Sequence, residues 1–588
     1  MNQIKYSSNN APLPLVLGIT GHRDIVESDI NRVYSSIKSI FEDIKKSCPN
    51  TPIKVLSPLA DGADRIAARV GLESGAELIC PIPFSEEIYR EDFNEESLKE
   101  FYLLKSKATY VFNVCGESNY TKSTKSITND EKDKYYEIAG KYIADHCHIL
   151  IAVWDNKDSH KIGGTTQIVK YRLRETPTKM RDSNNFLELR EKWPVYHIFA
   201  RRKSSVNCKN HELTQNIKPP KFLPLAKEYK SGFMNKFIRK IINYNTPKSG
   251  KELFSYIKER IEYLNSFYNK KFAKNNNLLE DKIKQFISGY TIPEELLAAV
   301  KTYICADAVA INDQKHTKSI WRAIFIMAAF MALIFESYIS FLHNWISILF
   351  YFILFCLIIL LWVFHNRYRY LEHFLDERLL AESLRIQIYW KLSGLKDDVT
   401  DQYLLRHIRV LSWVVLAVKT INMQPQPQIK MNINDIKKIW IEKQKNYFNK
   451  ALERDKQQLE IKDKIAYFLY SAGILSTITL IILLIYNNFI PALFVHILDL
   501  SISLFPAAAA LLIGFSEKMA YKEHVIEYQR MGEIYSQADK YLEQRLDMNL
   551  DMNEEEIRQF LLTLGREALY ENAEWRYLHG QRPLGIPI

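Results

Sequence analysis

Two stretches of this chain contain no Lys or Arg at all, residues 323–366 and 465–517. Each is long enough for two apolar helices of about 20 residues, the length that crosses a hydrocarbon core. The first resolves into Ile320 to Leu342 and Trp345 to Phe364, separated only by His343 and Asn344. The second resolves into Ile465 to Tyr486 and Phe489 to Phe515, separated by Asn487 and Asn488. Connectors this short force antiparallel hairpins, so four spans in two hairpins are expected.

The flanks orient them. Lys315, Lys318, Arg322, Lys462 and Lys464 precede the odd spans, and Arg367, Arg369, Lys518 and Lys522 follow the even ones. Both tight loops lack cations, so the positive-inside rule puts both termini in the cytoplasm. All 79 basic residues therefore lie outside the two windows, and the formal charge of +11 suits a surface resting on anionic lipid rather than direct nucleic-acid binding. Seven cysteines without a C-x-x-C pair give neither a disulfide framework nor a zinc cassette and point to a reducing compartment. The start MNQIKYSSNNAPLP has no secretory signature, so insertion is expected to rely on the internal spans.

Glu336 and Asp499 each fall in the half of a span nearer the outer loop. A carboxylate there is costly unless it meets water or a partner. It reads either as the acidic mouth of a cation-favouring pore or as a side chain that snorkels or stays protonated. Pro506, followed by four alanines and Gly514, allows a kink and close helix approach. Helices are expected to continue each even span, through YRYLEHFLDERLLAESLRIQIYWKLSG and YKEHVIEYQRMGEIYSQADKYLEQ. In the first, Leu371, Leu375 and Leu379, with Leu380, Leu384 and Ile388, make a broad apolar face that needs a partner. The unit of helix, two spans and helix thus recurs at an offset of about 145 residues.

From Leu13 to Arg202 the pattern changes to short apolar runs alternating with helical stretches, the signature of an α/β domain with a helix-covered parallel sheet. Strands are predicted at Leu13 to Ile19, Ile53 to Leu56, Glu77 to Pro81, Thr109 to Val114, His148 to Trp154 and Val195 to Phe199. Ligands of such sheets bind beyond the strand carboxyl ends. After the first strand, GITGHRD offers Gly18, Thr20, Gly21 and Arg23; after the second, Asp61, Gly62 and Asp64 open a helix. After the fifth come Asp155 and then Gly163, Gly164 and Thr165. Glycines there admit a phosphate to the backbone, and Asp61 or Asp64 either accepts from a ribose or caps the helix. Three such turns on one sheet edge predict a cleft for a nucleotide-derived ligand. His146, Cys147 and His148 point alternately to opposite faces of a strand, so no metal site is expected.

The order GITGHRD, SPLADGADRIAARVGLESGAELICPIPF and HILIAVWDNKDSHKIGGTTQIV, covering about the first 200 residues, resembles the SLOG superfamily of Rossmann-like domains. The hairpins with YRYLEHFLDERLLAESLRIQIYWKLSG, over roughly residues 295–545, resemble SLATT two-span modules of bacterial conflict systems. The resemblance implies a SLOG-like domain over 1–225, a helical connector over 226–300, and two SLATT-like modules over 301–425 and 426–588. It puts the ligand pocket on Gly18, Thr20, Gly21, Arg23, Asp61, Gly62, Asp64, Gly163, Gly164 and Thr165. The Lonely Guy enzymes of this superfamily carry a catalytic glutamate three residues after their Gly-Thr pair, where this chain has Ile168.

The resemblance therefore implies binding rather than hydrolysis. The expected protein is a homo-oligomeric effector of antiphage defence in the bacterial inner membrane. It would need no cofactor, would sense an ADP-ribose-like or cyclic nucleotide made by a partner enzyme, and would breach the membrane. The alternative is a membrane-anchored nucleotide-cleaving enzyme using Glu86, Glu87 or Asp155 as acid or base.

Overall fold

A computed structural model describes residues 12–115, 128–158, 161–173, 193–206, 219–223, 249–403, 412–423, 430–485, 491–548 and 552–581. The chain forms two compact units.

The first unit comprises Met1–Gln285, Gly289–Cys305 and Asp398–Pro427. Its centre is a seven-stranded sheet of β1 (Leu15–Gly21), β2 (Ile53–Leu56), β3 (Glu77–Ile82), β4 (Tyr110–Asn113), β5 (Ile149–Trp154), β6 (Val195–Phe199) and β7 (Lys221–Phe222). The order is β4-β3-β2-β1-β5-β6-β7, parallel throughout except for β7, which pairs antiparallel with β6 at the edge. All six residues of β5, ILIAVW, are buried, as a strand covered on both faces requires. Helix α1 (Glu27–Ser47) returns the chain to β2 and buries Val33, Ile37, Phe41 and Ile44; α2 (Ala63–Glu73) returns it to β3. This is a Rossmann-like α/β fold. The short β7 carries no marked apolar alternation, which is why the sequence alone missed it.

Helix Gly250–Lys271 closes the entry end of the sheet. Asn265 donates to the Leu13 carbonyl at 2.8 Å and accepts from its amide at 3.3 Å, while Glu262 accepts from the Thr51 hydroxyl at 2.7 Å. Thr302 donates to the Pro12 carbonyl at 3.1 Å. Residues read from sequence as connector are thus part of the sheet unit, and so is Asp398–Pro427, which lies between the two hairpins in the chain. Within it, Lys419 is held charged: burial pulls its pKa down, but Asp145, Asp401 and Asp398 outweigh that and raise it.

The second unit comprises Phe286–Ser288, Ala306–Asp397 and Gln428–Ile588, and is all-helical. Among the described residues, four helices are long and apolar enough to cross a membrane. The first span belongs to helix Glu294–Ser337, the second to Trp345–Tyr368, the third to Lys443–Ile485 and the fourth to Ala492–Lys518. Asn344 caps the second span by accepting from the Ser347 amide at 3.0 Å. The loop between the third and fourth spans lies outside the described residues. Pro506 sits within a continuous fourth helix, and a side chain on Gly473 would come within 3.1 Å of its ring, so the third and fourth spans touch closely there.

The internal repeat is visible in the backbone. Each even span ends in a left-handed residue, Arg369 (φ 51°) and Ala520 (φ 56°), and a second helix follows each, Tyr370–Leu392 and Tyr521–Asp547. A Glu-His pair follows at the same spacing, Glu372-His373 and Glu523-His524, with both histidines buried. Buried aspartates, Asp313 and Asp455, occupy the helix before each hairpin. Asp455 Oδ2 lies 3.1 Å from His524 Nδ1.

The apolar stripe of Tyr370–Leu392 understates its position, because 19 of its 23 residues are buried and so it is the central strut of the bundle. Several of its charges have partners. Asp376 accepts from Arg576 at 2.7 Å, Arg385 pairs with Glu382, and Arg378 lies over the Trp575 ring at 5.6 Å. Trp390 donates to the Leu561 carbonyl at 3.1 Å and fills the space beside Gly565.

Candidate functional site

After β1 the chain builds β2, β3 and β4 outward on one side, then returns to place β5 on the other. Connections leaving β1 and β5 therefore diverge, and the crevice between their carboxyl ends is where such sheets take ligands.

β1 runs two residues further than the sequence suggested, so Thr20 and Gly21 are ladder partners of Ala152 and Val153, and the turn begins at His22. Several motif glycines serve close packing. A Cβ on Gly18 would stand 2.8 Å from Cys147 Sγ and 2.9 Å from Ile143, and one on Gly21 would overlap Ala63. Gly62 has φ +76°, and a Cβ there would overlap the His22 and Arg23 carbonyls. The Ala63 amide donates to the His22 carbonyl at 3.1 Å. Together these contacts clamp the start of α2 onto the turn after β1.

Three predicted residues meet at this edge. Arg23 has 41% of its side chain exposed, lies 3.7 Å from Asp92, and places its guanidinium 4.7 Å from the centre of the Tyr136 ring. Burial pulls its pKa down, but Tyr136, Tyr89 and Asp92 outweigh this and raise it, so it is a fixed cation. Asp64 is buried at the first turn of α2, and burial pushes its carboxyl up to about 7 against the opposing field of Arg23. Asp155, just beyond β5, stands against His22: Nε2 lies 3.1 Å from Asp155 Oδ1 and 3.1 Å from its amide nitrogen. Burial raises Asp155, but the His22 and Lys157 hydrogen bonds outweigh it and hold it below the usual carboxylate range.

The third turn backs onto the same cluster. Gly163 (φ +71°) faces Tyr136, where a Cβ would come within 2.9 Å of the tyrosine Cβ. Gly164 is the N-cap of helix Thr165–Arg172 and offers no side-chain cap, and Thr165 is half-buried beside it.

Other expected residues have different work. Asp61 accepts from Ser97 at 2.6 Å and pairs with buried Arg65 at 2.8 Å, tying α2 to helix Glu95–Ser106. Glu86 is paired with Lys105, and Glu87 is exposed. Ile168 is 1% exposed against Gly140, so that position belongs to the core rather than to the crevice. His146 stacks on Tyr142, Cys147 packs on Gly18, and His148 Nδ1 accepts from the Val16 amide at 3.0 Å. These three side chains have separate surroundings. In the membrane unit Glu336 is half-buried and Asp499 exposed.

The residues not anticipated are His22, Tyr89, Asp92 and Tyr136. His22 was visible within GITGHRD; the other three come from segments after β3 and before β5 that only the sheet order brings to the crevice. Positive Arg23 and Lys132, the latter 3.1 Å from Asp92, sit with aromatic faces and a protonatable carboxyl. That combination suits an anionic group joined to a planar ring. Compared with protein-family models and with curated proteins, the chain matches none.

Proposed function

We propose that this chain is a ligand-responsive membrane effector in which the sheet unit binds a nucleotide-derived signal and the spans answer by changing membrane permeability. The observation that carries the reading is that Asp398–Pro427, between the hairpins, belongs to the sheet unit. A change in that unit therefore has a covalent route to each hairpin. A ligand acts only through differential affinity, so the crevice must bind more tightly in the conducting state. An exposed carboxylate at Asp499 is costly against lipid and favours a homo-oligomer that covers it or turns it to a water-filled path. The basic flanks orient both termini to the cytoplasm of a bacterial cell, where antiphage defence by membrane breach is the role of similar two-span modules. A partner enzyme would make the signal.

The test is conductance of proteoliposomes carrying the full chain, with ADP-ribose derivatives and cyclic dinucleotides added to the side bearing the sheet unit. A ligand-dependent current absent from Arg23→Ala supports the reading, and no current with any member of the panel overturns it.

A second reading rests on the His22–Asp155 pair, a half-buried acid-base arrangement at the sheet's switch point. It favours hydrolysis of an N-glycosidic bond, in which water adds to the anomeric carbon and the base departs with a proton. Product analysis of the same incubations with NAD and nucleoside monophosphates decides it; turnover lost in His22→Ala selects the enzyme.

A further inference from the structure

Among the spans lies a partly open cleft of about 1400 Å³. Its walls are apolar: Phe325, Met331 and Phe335 from the first span, Phe355 from the second, and Ala510 and Leu511 from the fourth. Its charged lining, Asp463, Glu517, Lys518, Lys522 and Glu523, falls at one end, where the third apolar run begins and the fourth ends. That end is the one carrying the basic flanks of the spans. From Trp321 to Phe335 the first span rises about 21 Å at 1.5 Å per residue, more than the ~15 Å of one leaflet's hydrocarbon. Buried Trp321, Ile324, Ile358, Met519 and Tyr521 form the packed cluster beside the charged end. Lys518 is positioned at the mouth, its ammonium 4.6 Å from the centre of the Trp321 ring.

A long apolar slot with charges at one end matches an amphiphile standing along the membrane normal. Water has no partners on such walls, and basic pockets between spans on the cytoplasmic side are where phospholipid headgroups bind. The mouth carries both signs, two lysines and three carboxylates. A headgroup with a phosphate and an ammonium complements both, whereas a purely anionic one leaves the carboxylates opposed to it.

We propose that this cleft holds one aminophospholipid, its phosphate at Lys518 and Lys522, its ammonium among Asp463, Glu517 and Glu523, and an acyl chain along Phe325, Met331 and Phe335. The lipid fills the space between the first hairpin and the fourth span, so its occupancy is part of the packing that holds the hairpins.

The test uses the full chain in phosphatidylcholine vesicles doped with phosphatidylethanolamine or phosphatidylglycerol, each bearing brominated acyl chains that quench nearby tryptophan. The Trp321 signal is taken as the difference between the wild type and Trp321→Phe. Quenching of that signal at about tenfold lower phosphatidylethanolamine than phosphatidylglycerol is expected; Asp463→Asn with Glu517→Gln and Glu523→Gln should remove the preference, whereas Lys518→Ala with Lys522→Ala should weaken the binding of both lipids. The double variant Ala332→Phe, Ala510→Phe fills the slot; native mass spectrometry should then show loss of the one lipid retained per wild-type chain. Equal quenching by both lipids overturns the proposal. So does a slot-filling variant that loses a protein subunit rather than a lipid, since a second copy would then be the occupant.

Discussion

His22 and Asp155, one at the end of β1 and one at the end of β5, are joined side chain to side chain at 3.1 Å across the point where the strand order reverses. The Asp155 amide meets the same imidazole nitrogen at 3.1 Å. Either that nitrogen carries a proton and donates to the carboxylate, or it is bare and accepts from the amide. In both cases the pair ties together two strand ends that the chain reaches more than 130 residues apart.

His22→Ala leaves that carboxylate without its side-chain partner. A loss of about 1 to 2 kcal/mol in the stability of the sheet unit is expected, because the half-buried carboxylate then keeps the Lys157 amide but not the imidazole. The native Asp155 pKa is depressed, so its contribution is present above the unfolded value and is lost as pH falls through the folded one. Thermal unfolding of wild type and variant should therefore converge in acid and separate at neutral pH.

Asp64 behaves in the opposite sense. Its folded pKa of about 7 lies above the ordinary 3.8, so the native state binds a proton that the unfolded state releases. Stability is greatest below the unfolded value, declines as pH rises between the two, and the full penalty stands above 7. Asp64→Asn should therefore be more stable than wild type at pH 8, by roughly 2 to 4 kcal/mol. The difference should vanish near pH 4, as read by denaturant titration at both values.

Arg23 and Asp61 separate binding from scaffolding. Arg23→Ala should weaken nucleotide binding at least tenfold, the worth of one charge-assisted hydrogen bond, with little change in melting temperature. Asp61→Ala breaks the tie to Arg65 and Ser97 and should lower stability by about 1 to 3 kcal/mol. Calorimetric titration and thermal melts on both variants distinguish the two roles.

Gly62→Ala meets both a positive φ and the carbonyls of His22 and Arg23. About 2 to 4 kcal/mol should be lost, since the left-handed backbone and the overlap act together. Hydrogen exchange should report the loss first at the β1 turn and the start of α2.

Gly565→Ala places a methyl group into the Trp390 indole and should destabilise the helical unit by about 1 to 3 kcal/mol. The two residues belong to that unit alone, so the transition of the sheet unit should not move. Tryptophan fluorescence during unfolding gives the readout.

What the amino-acid sequence determined by itself is everything with a local period or a local composition. The four spans follow from runs without cations, and the parallel sheet from apolar stretches such as ILIAVW alternating with amphipathic helices. Capping is equally local, as with Asn344 before the second span. What tertiary structure alone decided is adjacency across long sequence separations. Strand order placed β5 beside β1 and so made a pair of His22 and Asp155; it brought Tyr136 and Asp92 to Arg23; and it returned Asp398–Pro427 to the sheet unit. Periodicity shows that a face will be buried but not by what, and a glycine reads the same whether its missing side chain admits a phosphate or a neighbouring helix. At Gly18 and Gly21 close packing took the space, as only the three-dimensional neighbours could reveal.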